Sequence, residues 1–141
     1  MGVADIDQLY KILAALHSLA LEFAYPRIDQ TVVSQLKQTN EKLSHAMNDG
    51  TLEDVLKYDQ AFHDIILAAA SNDFLTSFAA TLECHIVRIE NLYYGRLPSR
   101  EDSVHGHEAI IEALEGRNLP AAKEAASRNW LHVIDVLNET T

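Results

Sequence analysis

Residues 51–70 read TLEDVLKYDQAFHDIILAAA, and the spacing of their apolar side chains decides the fold class. Leu52, Val55, Phe62, Ile66 and Ala70 recur at intervals that return to one side of a helix, not at the alternation a half-buried strand requires. Thr51 followed by Asp54 predicts a capping pair at the start, and Ser71-Asn72-Asp73 predicts the stop. Two polar residues, Asp59 and His63, lie inside the apolar stripe. They are four positions apart, so their side chains leave the same face one turn from each other and can converge on one object.

The same periodicity extends outward in both directions. It predicts a first helix from about Ile6 to Ala24, stopped by Pro26, and a second from about Asp29 to Met47, ended by Asn48-Asp49-Gly50. After the central helix comes a fourth from about Asp73 to Tyr94, closed by Gly95 and Pro98. A fifth runs from about Glu101 to Glu115, closed by Gly116, and a sixth opens at Asn118 with Pro120 in its first turn and reaches about Asn138. The expected architecture is all-α: a single antiparallel bundle of about six helices, residues 1–141, with a buried central ligand or metal cavity.

Composition bounds the function. The 141-residue chain is 48% hydrophobic and 23% charged, with few Gly and Pro, which excludes disorder and loop-rich scaffolds. Eleven Lys and Arg against 21 Asp and Glu give a net charge of -10, so the chain carries no basic stripe to displace nucleic-acid counterions. A lone cysteine, Cys84, suits a reducing compartment, and neither a membrane span nor a secretion signal is legible. A cytoplasmic location is expected.

Seven histidines remain to be explained. On helical wheels His107 falls near the centre of the fifth helix's apolar face, between Val104 and Ile111-Leu114, and His85 falls within a fourth-helix stripe of Leu75, Phe78, Leu82, Ile89 and Leu92. His17 lies at the edge of a first-helix stripe of Leu9, Leu13, Leu16, Ala20 and Phe23. Asn129 is on the inward flank of the sixth helix, with His132 further round, while His45 and His105 face water. A buried aspartate beside imidazoles calls for compensation by a proton or a metal. Asp59, His63 and His107 form a ligand set suited to a borderline divalent ion such as zinc, nickel, cobalt or manganese.

Asp59-Gln60-Ala61-Phe62-His63, with Ile65-Ile66, Ala69, Asn72 and Leu75 after it, resembles the D-x-x-F-H segment of the FCD domain, the effector-binding part of many GntR-family transcriptional regulators. His107-Glu108-Ala109-Ile110-Ile111-Glu112-Ala113-Leu114, followed by Ala121-Ala122, is similar to that family's H-x-x-I-x-x-A segment and final helix. In metal-binding members the aspartate and histidine of D-x-x-x-H, the fifth-helix histidine and a histidine 22 residues later hold a divalent metal beneath a small-molecule pocket. The resemblance thus implies Asp59, His63, His107 and Asn129 at the metal, zinc or nickel first and manganese or cobalt next. Asn129 stands where the family has histidine, which favours a weaker three-ligand site with Asn129 near the metal or its water. His132, one helical turn beyond, ranks second as the completing group. The family's usual glutamate before the fifth-helix histidine is Gly106, and its first-helix Arg and Glu correspond to Leu13 and His17.

The resemblance further implies a cavity in which the metal attracts a small carboxylate effector, helped by His85, Arg88 and His17, with Trp130, Tyr58 and Tyr93 in core or dimer contacts. It implies a homodimeric sensor, not an enzyme, that reaches DNA only through a winged-helix domain absent from this chain. The alternative is a small metal-dependent hydrolase on a helical bundle, for which the residues offer no clear general base.

Overall fold

The computed structural model describes residues 3–92 and 100–140, and the described residues fold as six α-helices and one short 3-10 turn. These are α1 (Val3–Ala24), α2 (Gln30–Asp49), α3 (Leu52–Ala70), α4 (Asp73–Leu92), α5 (Arg100–Glu115) and α6 (Leu119–Thr140). A 3-10 turn at Tyr25–Arg27, with Pro26 inside it, separates α1 from α2. Gly95, Pro98 and Tyr93 lie outside the described residues.

Most boundaries have local causes. Asp29 caps α2 by accepting from the Val32 amide at 3.0 Å. Thr51 and Asp54 form the reciprocal box that opens α3, with Asp54 N–H donating to Thr51 Oγ1 at 3.2 Å and Thr51 N–H to Asp54 Oδ2 at 3.4 Å. Asn72 caps α4 through the Leu75 amide at 3.1 Å. The end of α5 differs from expectation in one respect. Gly116 does not take the left-handed position; Arg117 does, at φ 55°, and Asn118 N–H reaches back to Ala113 O at 2.9 Å in a Schellman closure. Arg117 is held there by Ile28 O, 3.2 Å from its guanidinium, and by the Tyr25 ring beneath it.

α1 packs most extensively on α6 and also on α3; α2 packs on α3 and α5; α5 packs on α6. α4 leans mainly on α1. One core cluster joins Leu21, Leu36, Phe62, Ala79, Ile110, Leu114 and Ala122, and a second joins Ile6, Leu13, Ile86, Ile89 and Ile134. Full burial of each large aliphatic or aromatic side chain contributes roughly 1.5–3 kcal/mol.

The apolar stripes need three corrections. Leu52, at the first position of α3, is 49% exposed because it lies beyond the end of the packed face. Phe23 is also exposed, since Ala20, Leu21 and Ala24 make the inward contacts at that end of α1. In α4 the inward face is Leu75, Ala79, Ile86 and Ile89, so Phe78 turns outward at 60% exposure and His85 is left half-buried at the edge of the packed face. Small Ala79 fits into the main cluster where bulky Phe78 was expected.

Candidate metal centre

Asp59 and His63 project from the buried face of α3 as their four-residue spacing requires, and His107 meets them from α5. One ligand atom from each of the three lies within 4.8 Å of the other two. His107 Nε2 is 3.4 Å from Asp59 Oδ1, about the edge of a tetrahedron drawn around an ion with metal–ligand bonds of about 2.1 Å. His63 and His107 are buried, and the Asp59 side chain is only 15% exposed.

A residue absent from the sequence reading fixes the chemistry of His107. Asn40, buried on α2, donates through Nδ2 to Val104 O at 3.1 Å, which orients its amide so that Oδ1 faces His107 Nδ1 at 3.0 Å. An amide oxygen can only accept, so Nδ1 carries the proton and Nε2 turns toward Asp59. A neutral Nε2 and a carboxylate oxygen are both acceptors, and their approach requires a positive charge shared between them, a proton or a metal ion. Phe62 stacks flat on the His107 ring at 3.8 Å and 3°, which leaves it little freedom to rotate. The donor set, burial and locked ring orientation fit a divalent ion.

Asp59 and His63 line a cavity of about 470 Å³, with fully buried His107 behind them. Asp59, Gln60 and His63 come from α3, Glu83, Ile86 and Val87 from α4, Asp102 and Gly106 from α5, and Asn129, Trp130 and His132 from α6. Burial raises the Glu83 carboxyl above its ordinary range, the Gln60 hydrogen bond opposes this, and the nearby Asp64 charge adds to the rise. Behind the wall lies buried His17, its ring 5.0 Å from His63 and stacked at 4.8 Å on Trp130. Its Nε2 has no hydrogen-bond partner among the described residues. Burial lowers its pKa from 6.5 to about 4, so the imidazole is neutral near pH 7.

The family profile of the FCD domain matches residues 8–131. The chain belongs to the FCD domain family. It is also 26% identical over 131 residues to an uncharacterized HTH-type transcriptional regulator, YdhC, of Bacillus subtilis (strain 168), covering 91% of this chain and 58% of that protein. The chain therefore spans a little over half the length of that relative.

Against the FCD pattern, the structure brings Asp59, His63 and His107 together and puts Asn129 and His132 on the cavity wall. His132 is largely exposed and its Nε2 lies 3.5 Å from Asp102 Oδ2, directed to the rim. Asn129 sits against α5 so closely that a Cβ at Gly106 would collide with its Oδ1. His85 is half-buried and Arg88 exposed, and the α4 side of this FCD cavity is Glu83, Ile86 and Val87 instead of these two. His45 and His105 face solvent as expected. The signal that could have found Asn40 is its position: Val33, Leu36, Asn40 and Leu43 share one buried face of α2, a polar interruption of the same kind as Asp59.

Proposed function

We propose that this FCD domain is the effector-sensing, dimerising part of a GntR-type transcriptional regulator, and that Asp59, His63 and His107 hold a divalent ion, zinc or nickel, beneath a small carboxylate effector. The observation that carries the reading is the convergence of three ligand atoms within 4.8 Å, with Asp59 and His63 on the wall of a cavity large enough for a metabolite. The family match and the regulator relative support the sensing role over catalysis. Asn129, next to Gly106 on the cavity wall, is the preferred group to meet the ion or its water, with His132 second.

A bound divalent ion supplies positive charge and open coordination positions for an oxygen anion. The protein's own groups then act on the effector from several helices. Asn40 and Phe62 keep His107 in one orientation, Trp130 and Tyr10 form an aromatic wall, and Ile86 and Val87 present α4 to the ligand. α4 carries exposed Phe74 and Phe78 on its other side, and α1 carries exposed Ile12, Leu19 and Phe23. We assign these apolar residues to the homodimer contact. An effector that changes the seating of α4 in the cavity would then change the dimer and the spacing of separate DNA-reading domains. Among the described residues no helix is long and apolar enough to cross a membrane, which is consistent with a cytoplasmic regulator. Native mass spectrometry is expected to find one divalent ion per chain in a homodimer. A metal-free monomer whose stability ignores chelator would overturn the reading.

A further inference from the structure

The charges on the cavity wall do not suit a simple polycarboxylate. Beside Asp59 and His63 of the triad, the wall carries two carboxylates, Glu83 and Asp102, and two cationic or titratable groups, Arg128 and His132, while lysine is absent from the described wall. Both positive groups are already engaged. His132 pairs with Asp102 at 3.5 Å, and Arg128, 75% exposed, holds Glu124 at 2.5 Å. Asp59 belongs with the two histidines. That leaves Glu83 on α4, half-buried, whose hydrogen-bond partner among the described residues is the neutral Gln60 amide at 2.6 Å. Gln60 is itself shared with Asp64 at 2.9 Å, so its donors are divided between two acids.

We infer that the effector is zwitterionic: an oxygen anion directed to the metal triad and a protonated amine directed to Glu83. This rests on the metal-and-carboxylate reading above and narrows its ligand class. An ammonium is the complement of a half-buried carboxylate that has no cationic partner among the described residues, and it brings a charge and three donors where Gln60 offers one neutral N–H. The cavity of about 470 Å³ has room for a molecule of amino-acid size spanning from α3 to α4. The rise in the Glu83 pKa agrees, because burial without a cation disfavours its charge.

The test is calorimetric titration of zinc-loaded protein with short α- and ω-amino acids and with the hydroxy acids and dicarboxylic acids of matching chain length. The metal content of each sample is read by native mass spectrometry. The best amino acid is expected to bind about tenfold more tightly than its matched hydroxy acid, the gain of one charge-assisted hydrogen bond. Glu83→Gln is expected to bring that ratio to about one, and Glu83→Lys to reverse it in favour of dicarboxylic acids. Hydroxy or dicarboxylic acids binding wild-type protein as tightly as amino acids, or a preference that survives in Glu83→Gln, would overturn the inference while leaving the metal reading intact. If the protein takes up zinc yet binds none of these acids, the carboxylate reading and this inference fall together. If it takes up no metal, the metal reading falls as well.

Discussion

Replacing Asn40 by alanine tests whether the His107 ring is held for a metal or merely packed. Two hydrogen bonds disappear, from Nδ2 to Val104 O and from His107 Nδ1 to Oδ1, each worth about 1 kcal/mol net. The His107 Nδ1–H then sits buried with its acceptor gone, which costs about 1–3 kcal/mol unless the ring turns or water enters. Together these give an expected loss of about 3–5 kcal/mol in urea unfolding of chelator-treated protein. Metal affinity, read by competition with a chromophoric chelator, is expected to fall about 10- to 100-fold, because nothing then fixes the tautomer that directs Nε2 at Asp59. Asn40→Asp keeps an acceptor for Nδ1–H and is expected to retain more of the metal affinity, although it loses the bond to Val104. A stability loss with metal affinity within about twofold of wild type would refute the positioning argument; no loss of either would refute the hydrogen-bond geometry itself.

Two further outcomes follow from buried groups near the cavity. His17 is neutral in the fold, with its pKa lowered by burial to about 4 from 6.5. The unfolded chain therefore binds a proton that the native state refuses between those values. Its contribution is constant above pH about 6.5 and is lost as the pH falls toward 4, a cost of about 3 kcal/mol that His17→Phe should remove from urea unfolding curves measured in chelator. A variant with the same pH slope as wild type would place the titration elsewhere. Gly106→Ala should destabilise by about 1 kcal/mol, since the collision with Asn129 outweighs the gain of about 1 kcal/mol in helix propensity. With Asn129→Ala in place the same change should stabilise, and additive effects in the double-mutant cycle would refute the contact.

The six helices were legible because their causes are local. A period of three and four, a capping pair at Thr51 and Asp54, and breakers at Pro26, Gly50 and Ser71 each act within a few residues. The acid and two histidines were legible for a related reason: a polar residue within an apolar stripe stands out on one helix at a time. Asn40 interrupts its stripe too, but an uncharged amide raises no demand for charge compensation, and its meaning appears only when α2 meets α5. The inward side of α4 was not legible. Phe78 and Ala79 both continue an apolar pattern, and the choice between them depends on how close α4 comes to the main core. That choice leaves His85 off the cavity wall and brings Glu83 and Val87 to it, so the wall's chemistry could not be read before the packing was known.

Gly106 and Asn129 look in the sequence like two separate departures from the FCD pattern, one acid lost on α5 and one histidine lost on α6. In space they are one arrangement. The missing side chain at 106 leaves the gap that the Asn129 amide fills, and any Cβ there would push that amide out of place. A side chain at 106 therefore cannot be added without moving the Asn129 amide. On the effector reading proposed above, the Asn129 amide, the Trp130 indole and the Glu83 carboxylate, more than the triad itself, would set which small molecule the cavity distinguishes.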